Sequence, residues 1–265
     1  MKPIRKILIK LGGSVLENPQ NMQNICRDIK ELRDANIDII IVHGGGKLIT
    51  SCLEKNNIKS TFINGYRVSQ MQDISTIQMA LYNINKDLSK TFSSINVDAI
   101  GISGEDCNLL CCNFLDKDKY GYVGSITAVN TKVISKLLEQ QLMPVVATIG
   151  VTDDYASVNI NADDVASQLA IACEVDKVVF LTDQEGVYDE NNKIFTNISM
   201  LKIRDIIDTK VATGGMKVKL ENICELLEET KKTITILNGK EKGLLTKKFI
   251  LGQNLGTTCV YKENK

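Results

Sequence analysis

The sequence has few of the residues from which metal sites and nucleophilic triads are built. Its single histidine is His43, and its eight cysteines never occur as a CxxC pair. Structural zinc sites need paired Cys or His ligands, and a Ser-His-Asp triad would depend on His43 alone. Both sites are therefore disfavoured, and we expect most cysteines to pack as small apolar side chains in a reducing compartment.

An excess charge and long apolar runs are also missing. The 32 basic residues balance 32 acidic ones, so no positive excess favours nucleic acid as a partner. The apolar run Ile7–Ile9 is too short for a signal peptide core, and no stretch approaches the roughly 20 apolar residues of a membrane span. We expect a cytoplasmic protein with no membrane or nucleic-acid partner, folded as one domain over residues 1–265.

Apolar strand-like segments alternate with helix-like ones. The predicted buried strands are Ile4–Lys10, Ile37–Val42, Val97–Gly101, Met143–Ile149, Lys177–Leu181 and Thr233–Leu237. Between the first two, Asn18 and Pro19 predict the start of a helix with one apolar face. This alternation predicts an α/β fold whose mainly parallel sheet is covered on both faces. Leu109–Val129 has charges between apolar residues and predicts a β-hairpin with a solvated tip.

Glycine loops follow the first two predicted strands, at Lys10–Ser14 (KLGGS) and His43–Lys47 (HGGGK). Ligands of parallel sheets bind beyond the carboxyl ends of the strands, where glycine lets backbone N–H groups approach an anion. Neither loop has the P-loop pattern GxxxxGK[ST] or the dinucleotide pattern GxGxxG. A tight turn beside a surface lysine is the alternative for the first loop, and His43 at a strand end is more often structural.

Two further segments offer groups for a small polar ligand. Asn64–Ser69 (NGYRVS) contains Arg67, which is suited to bidentate capture of a carboxylate, although a surface arginine beside a turn is an equally simple interpretation. In Asn159–Asp164 (NINADD), Asn161 can cap a helix whose first turn is acidic. Capping does not account for Asn159, which precedes the cap.

The last two segments suit a polyphosphate. Leu181–Tyr188 (LTDQEGVY) ends a predicted strand in an Asp- and Gly-containing turn. Thr213–Lys219 (TGGMKVK) brings glycines and two lysines to the start of a helix, where cations oppose the helix dipole. A bound polyphosphate would relieve that opposition, whereas an ordinary turn and surface lysines are the alternatives.

Taken in order, these six segments resemble the amino acid kinase family over nearly the whole chain, and Arg67 with its neighbours and NINADD resemble its acetylglutamate kinase branch. The resemblance implies a three-layer αβα sandwich with a central, mainly parallel eight-stranded sheet. It implies lobes at about 1–150 for the acyl amino acid and dimerisation, and 151–265 for ATP. The implied reaction is MgATP-dependent phosphorylation of the side-chain carboxylate of N-acetyl-L-glutamate, the second step of arginine biosynthesis, by a homodimer.

The resemblance also assigns roles to residues. It implies that Lys10 and Lys219 stabilise the transition state, with Asp163 orienting both. The acyl amino acid is expected at Gly45, Gly46, Arg67 and Asn159. ATP is expected at Lys10, Gly12, Gly13, Asp183, Gln184, Glu185, Gly186, Val187, Tyr188, Val211, Ala212 and Thr213. Lys217 stands where the family usually has an apolar residue, so the catalytic role falls to Lys219. Mg²⁺ is expected to be held mainly by the ATP phosphates and water, without a protein metal site.

Other functions remain open from the sequence. A related kinase for another carboxylate, such as glutamate 5-kinase, aspartokinase or a carrier-linked aminoadipate kinase, is the nearest alternative. A non-catalytic nucleotide or amino-acid sensor would bind ATP without turnover, and an oxidoreductase is disfavoured by the missing dinucleotide pattern. Arginine-inhibited members of the family usually carry an extra helix before the first strand, so a strand predicted from Ile4 favours a homodimer without arginine control.

Overall fold

The computed structural model describes residues 4–209, 211 and 214–262, so the predicted ATP-binding residues Ala212 and Thr213 lie outside the described residues. Its strands are β1 (Lys6–Leu11), β2 (Asp38–His43), β3 (Thr61–Ile63), β4 (Tyr66–Val68), β5 (Ala99–Ser103), β6 (Leu110–Phe114), β7 (Gly124–Val129), β8 (Met143–Ala147), β9 (Ile149–Thr152), β10 (Ser157–Asn159), β11 (Lys177–Thr182), β12 (Asn197–Ser199), β13 (Ile234–Asn238) and β14 (Thr257–Val260). Its α-helices are α1 (Gly13–Leu16), α2 (Pro19–Asp34), α3 (Gly46–Lys55), α4 (Ile74–Ser93), α5 (Lys117–Tyr120), α6 (Thr131–Glu139), α7 (Ala162–Ala172), α8 (Met200–Asp208), α9 (Gly214–Thr230) and α10 (Leu244–Phe249). Short 3-10 helices occur at Met71–Asp73 and Asp106–Asn108.

Eight strands form one sheet with the order β12-β14-β13-β11-β1-β2-β8-β5. The pairs β1–β11, β11–β13, β2–β8 and β5–β8 are parallel, whereas β13 and β14 are antiparallel. Strand β8 is buried at every residue, as expected where helices cover both faces of a parallel sheet. The predicted α/β fold with a mainly parallel eight-stranded sheet is confirmed. No helix in the described part of the chain combines the length and apolarity needed to cross a membrane.

The chain divides into two compact units. The first unit contains the described residues up to 39 and from 174 onward, and the second unit contains residues 40–173. The contiguous lobes expected from the sequence, 1–150 and 151–265, have other bounds, because the start of the chain packs with its C-terminal part. The binding roles assigned to those lobes stay predictions.

In the first unit, β1 pairs with β11 across a long sequence separation, from Ile7 beside Lys177 to Leu11 beside Leu181. Helix α2 starts as predicted, because the Asn18 side chain accepts a hydrogen bond from the Gln20 N–H (2.8 Å) and proline occupies the first helical position.

In the second unit, β2, β8 and β5 are parallel neighbours, and β10, β9, β6 and β7 form a separate four-stranded sheet. The predicted hairpin at 109–129 is confirmed as β6 and β7, with helix α5 at its tip. Strands β3 and β4 form a second hairpin, whose turn residues Asn64 and Gly65 have φ values of 50° and 82°. Positive φ at both positions suits a tight two-residue hairpin turn.

The observed strands begin and end up to two residues away from the predicted bounds, and two of these differences have a clear physical cause. The predicted strand Met143–Ile149 is two strands, since the chain leaves the large sheet after β8 and enters the smaller sheet as β9. A continuous apolar run carries no mark of which sheet each residue joins. The predicted strand Val97–Gly101 begins two residues later, because the Val97 N–H donates to the Phe92 carbonyl (3.0 Å) and closes the end of α4.

Most cysteines are buried, as expected from the absence of paired ligands. The buried ones are Cys26, Cys112, Cys173, Cys224 and Cys259. Desolvation raises the pKa of the Cys26 thiol to about 12, so this side chain stays protonated and apolar near neutral pH.

Candidate functional site

The two predicted catalytic lysines lie on one face of the sheet. Lys10 is near the end of β1, only 8% exposed, and it is the register partner of Phe180 in β11. Register partners on neighbouring strands direct their side chains to the same sheet face. The Lys219 Nζ lies 5.3 Å from the centre of the Phe180 ring, a cation–π distance. The first unit therefore directs the Lys10 side chain to the sheet face that carries Phe180, and it places the Lys219 ammonium group against the Phe180 ring.

Lys217 and Lys219 have different surroundings in α9. Lys217 lies in the first helical turn, is exposed, and forms an ion pair with Glu221 one turn further along (3.6 Å). Lys219 lies in the second turn and is partly buried against Phe180. The two lysines therefore differ in burial and in partner, and the catalytic role of Lys219 stays a prediction.

The first glycine loop follows β1 directly. The Gly12 N–H donates to the Leu181 carbonyl (2.9 Å), which joins the ends of β1 and β11. A Cβ atom at Gly12 would lie 3.0 Å from that carbonyl oxygen, so glycine permits the close approach of the two strand ends. Gly13 then begins the short helix α1.

The loop after β11 contains most of the other predicted ATP-binding residues. Asp183, Gln184 and Glu185 are exposed, whereas Gly186 and Val187 are buried. The Val187 N–H donates to the Thr257 Oγ1 (2.8 Å), and Tyr188 forms a β-bridge with Ile194. The loop is thus anchored at its second half, while its first half is open to a ligand.

A cavity of about 240 Å³ lies in the first unit, beyond this loop. It is lined by Asp189, Glu190, Asn191, Phe195, Lys202, Asp205, Ile206, Thr209 and Val211. Val211 is one of the predicted ATP-binding residues. The lining is rich in carboxylates, one of which, on Asp205, pairs with Lys202 (2.5 Å). Carboxylates accept hydrogen bonds from hydroxyl and amino groups and repel phosphate.

In the second unit, the second glycine loop forms the start of α3. Gly45 is the N-cap and Gly46 the first helical residue, so backbone N–H groups without an intrahelical partner converge there. A Cβ at Gly45 would lie 2.9 Å from the Ile84 Cδ1 and 3.1 Å from the Leu81 Cδ2, whereas a Cβ at Gly46 would meet nothing within 4 Å. Gly45 therefore lets α4 pack against the loop, and the space beside Gly46 is open.

Arg67 reaches the same helix start from β4. Its Nη2 donates to the Gly46 carbonyl (2.7 Å) and to the Thr50 Oγ1 (2.9 Å), and its Nη1 donates to the Ser60 Oγ. The guanidinium lies 4.5 Å from the centre of the Phe62 ring and is part of a residue only 6% exposed.

All of these partners of Arg67 are neutral, and burial lowers the pKa of its guanidinium. No carboxylate of the described residues pairs with Arg67. A guanidinium carries five N–H donors, of which these three bonds use three. An anionic ligand that accepted hydrogen bonds from the remaining donors would stabilise a buried cation in this position.

The start of α7 lies close to β4 in this unit. Asn161 caps α7, because its side chain accepts from the Asp163 N–H (2.8 Å), as predicted. Asn159 is buried at the end of β10, and its Nδ2 donates to the buried Ser69 Oγ (3.3 Å). Ser69 thus fixes the amide of Asn159, which the sequence left without a structural explanation.

His43 has a structural role, in line with its interpretation from the sequence. It is fully buried, with its Nε2 3.1 Å from the Asn85 Nδ2 and its Nδ1 3.2 Å from the Gly44 carbonyl. With Nδ1 protonated, the ring donates to the carbonyl and accepts from Asn85. Desolvation lowers the pKa of His43 to about 4, so the ring is neutral at physiological pH.

The residues predicted to bind ATP and those predicted to bind the acyl amino acid belong to different units. Lys10, Lys219 and the described residues predicted to bind ATP belong to the first unit, and the four residues predicted to bind the substrate belong to the second, together with Asp163. The orienting role of Asp163 toward the lysines stays a prediction. In the described chain, no group of three His, Cys, Asp or Glu side chains could hold a metal ion.

The sequence did not predict the residues that hold the side chains of Arg67 and Asn159 in place. Thr50, Ser60 and Ser69 bind Arg67 and Asn159 from positions 7 to 90 residues away in the chain. Local patterns cannot reveal such long-range partners. The position of Tyr66 could have been predicted, because neighbouring residues of a strand point to opposite faces. Tyr66 therefore contacts elements on the face of β4 opposite to Arg67.

The chain is similar to known proteins over almost its full length. The model of the amino acid kinase family matches residues 5–238. An acetylglutamate kinase of Campylobacter jejuni subsp. doylei is 39% identical over 254 residues, covering 95% of this chain and 90% of that protein. An acetylglutamate kinase of Hydrogenobaculum sp. is 34% identical over 258 residues, covering 94% and 90%. The crystal structure of smu.665 from Streptococcus mutans superposes with a TM-score of 0.83 at 29% identity, over 97% of this chain and 99% of that one. These similarities extend over both compact units.

Proposed function

This chain belongs to the amino acid kinase family and is a kinase, and from that premise we propose that it transfers the γ-phosphoryl group of ATP to the side-chain carboxylate of N-acetyl-L-glutamate. The observation that carries this proposal is Arg67, a buried cation held by neutral acceptors at the N-terminus of α3. Such a site suits the α-carboxylate of an amino acid.

The charge of the site favours an acylated amino acid. The residues assigned to the substrate are two glycines, an arginine and an asparagine, and none is acidic. Glutamate and aspartate carry an α-ammonium group, which a buried guanidinium repels and which has no carboxylate to pair with among these four residues. Acetylation replaces that ammonium with a neutral amide, so N-acetylglutamate brings two carboxylates and no cation.

The reaction needs neutralisation of charge more than proton transfer. A carboxyl group with a pKa of about 4.3 is ionised at pH 7, so no general base is required. A carboxylate oxygen of the substrate forms a bond to the γ-phosphorus, the bond to the β,γ-bridging oxygen breaks, and ADP leaves. Lys10 and Lys219 offset the repulsion between the two anionic reactants, together with the Mg²⁺ that accompanies ATP as part of the co-substrate.

The first unit suits the two ends of ATP differently. Lys10 provides an ammonium group and Gly13 a backbone N–H group at the strand end, which favour phosphates, while the Gly12 N–H is bound to the Leu181 carbonyl and Gly12 permits the close turn. The carboxylate-lined cavity beside Val211 favours the hydroxyl and amino groups of adenosine instead. The adenosine part of ATP therefore lies toward the cavity, and the phosphates lie toward Lys10 and Lys219.

The test is an assay of ADP release with MgATP and N-acetylglutamate, glutamate or aspartate as the acceptor. We expect kcat/KM for N-acetylglutamate to exceed that for glutamate by at least ~100-fold. The ammonium group of glutamate would lie near the Arg67 cation without a carboxylate to pair with among the predicted substrate residues. Equal turnover of glutamate would contradict the proposed substrate. ATP binding without turnover of any acceptor would support a sensor, and inhibition of turnover by added arginine would contradict the expected lack of arginine control.

In this function the product is N-acetyl-L-glutamyl 5-phosphate, and the reaction is the second step of arginine biosynthesis. The proposed enzyme acts as a homodimer in the cytoplasm. Light scattering on the purified protein measures the assembly directly, and a mass near 29.3 kDa, that of one chain, would contradict the dimer.

A further inference from the structure

The β3–β4 hairpin is bound on its two faces to the starts of two different helices. Residues 66 and 67 are neighbours in β4, so their side chains point to opposite faces. Arg67 reaches the start of α3 through Gly46 and Thr50. On the other face, the Tyr66 hydroxyl donates to the Asp164 Oδ2 in the first turn of α7 (3.1 Å).

We infer that Tyr66 is a positioning residue, whose hydroxyl holds the hairpin against the start of α7 so that Arg67 and Asn159 keep the spacing that binds the acyl amino acid. This inference rests on the proposed function. Its physical basis is that the bond to Asp164 has a carboxylate acceptor, and such bonds are stronger than those between neutral groups.

The surroundings of Tyr66 explain why its hydroxyl points in a fixed direction. Its ring packs against the Tyr120 ring, with centroids 5.7 Å apart and an angle of 57° between the planes. Tyr120 is buried, and the Asn64 Nδ2 at the hairpin turn donates to its hydroxyl (3.4 Å). The aromatic pair sets the angle of Tyr66, and the hydrogen bond to Asp164 sets how closely the hairpin approaches α7.

The Asp164 end is also fixed. Asn161 caps α7 through the Asp163 N–H, and an acidic side chain in the first turn is favoured by the helix dipole. Asn159 lies just before this cap and binds Ser69, which directly follows β4. Movement of the hairpin away from α7 would therefore displace Arg67 relative to Asn159.

Tyr66→Phe removes the hydroxyl and keeps the aromatic pair. Tyr120→Phe is the matched control, because it removes the hydroxyl of the other ring in the same pair and with it only the long, neutral bond from Asn64 (3.4 Å), while the bond to Asp164 is kept. We expect Tyr66→Phe to raise KM for N-acetylglutamate about tenfold, with kcat within about twofold and KM for ATP unchanged, the effect of one charge-assisted hydrogen bond. Tyr120→Phe should leave all three constants close to those of the wild type.

A double-mutant cycle tests whether Tyr66 acts through its bond to Asp164. If the two side chains act through one bond, Tyr66→Phe combined with Asp164→Ala has the same KM for N-acetylglutamate as Asp164→Ala alone. Additive effects, an unchanged KM in Tyr66→Phe, or equal effects of Tyr66→Phe and Tyr120→Phe would each overturn the inference.

Hydrogen exchange of the free protein separates this inference from the proposed function. Faster exchange at residues 61–68 in Tyr66→Phe than in Tyr120→Phe supports the role of the hydroxyl even if the wild type does not phosphorylate N-acetylglutamate. Equal exchange in the two variants overturns that role even if the wild type is an active acetylglutamate kinase.

Discussion

Lys217 and Lys219 are two residues apart, but they occupy different environments. Lys219→Ala is expected to lower kcat at least ~100-fold, because it removes one donor to the developing charge on the transferred phosphoryl group. Lys217→Ala is the matched control and should leave kcat within about twofold, since Lys217 is exposed and pairs with Glu221. Both are measured by ADP release at saturating substrates, and near-normal turnover in Lys219→Ala would remove this residue from the mechanism.

Burial of His43 predicts a pH-dependent stability. The pKa of this residue is about 4 in the folded protein and 6.5 when unperturbed, so the unfolded chain binds the proton more readily. Stability therefore decreases as pH falls from about 6.5 toward 4, and the difference of 2.5 pKa units amounts to roughly 3 kcal/mol at pH 4. Above about pH 7.5 the residue is neutral in both states and contributes no slope.

The comparison with His43→Gln isolates this effect from other acid-sensitive groups. Free energies of unfolding in urea, measured at several pH values between 7 and 4, give the difference between wild type and variant at each pH. We expect the wild type to lose roughly 3 kcal/mol more than the variant over this range. A difference that does not change with pH would mean that His43 binds its proton equally well in the folded and unfolded states, which would contradict the lowered pKa.

At the scale of elements, a change at the start of α7 is expected to affect both the stability of the fold and the binding of the substrate. Asn161→Ala removes the cap of α7 and should cost about 1 kcal/mol of stability. It should also raise KM for N-acetylglutamate, because Asn159 and Asp163 flank the cap. Asn18→Ala is the control, since Asn18 caps α2 through a hydrogen bond of the same length, 2.8 Å, away from the substrate residues.

Thermal unfolding and ADP-release kinetics distinguish the two cap variants. Both should unfold at a similarly lowered temperature, but only Asn161→Ala should bind N-acetylglutamate more weakly. An equal change of KM in Asn18→Ala would show that the kinetic effect reflects general destabilisation.

Local chemistry explains which elements could be predicted from the sequence. Asn18 and Pro19 mark a helix start by themselves, and the buried parallel strands appear as apolar runs. The break between β8 and β9 could not be predicted, because both strands are apolar and the change of sheet depends on partners distant in sequence. The short strands β12 and β14 depend in the same way on each other, as register partners 61 residues apart.

The candidate site shows the same limit. Glycine loops, Arg67 and the lysines carry chemistry in their own side chains or backbone, so motifs could suggest them. Ser69 and Tyr66 gain their importance from Asn159 and Asp164, which lie about a hundred residues away in the chain. Such partners become visible only when the chain is folded.

At the scale of the molecule, the two ligands are expected to protect different units from hydrogen exchange. A non-hydrolysable ATP analogue with Mg²⁺ should protect residues 10–16 and 183–188 in the first unit, and N-acetylglutamate should protect residues 44–50, 60–68 and 159–163 in the second. The control is glutamate at the same concentration, which should protect neither set. Protection by N-acetylglutamate confined to the first unit would contradict the assignment of its binding residues.

Because the first unit is formed by the two ends of the chain, the two units cannot complete their folding at the same time during translation. Strand β1 emerges from the ribosome early, but its partner β11 begins only at Lys177. The second unit is one continuous segment and can complete its own packing while the rest is being translated. A nascent chain stalled before residue 177 thus exposes the edge of an apolar strand that has no β11 to cover it, so truncated chains are expected to aggregate more readily than the full chain.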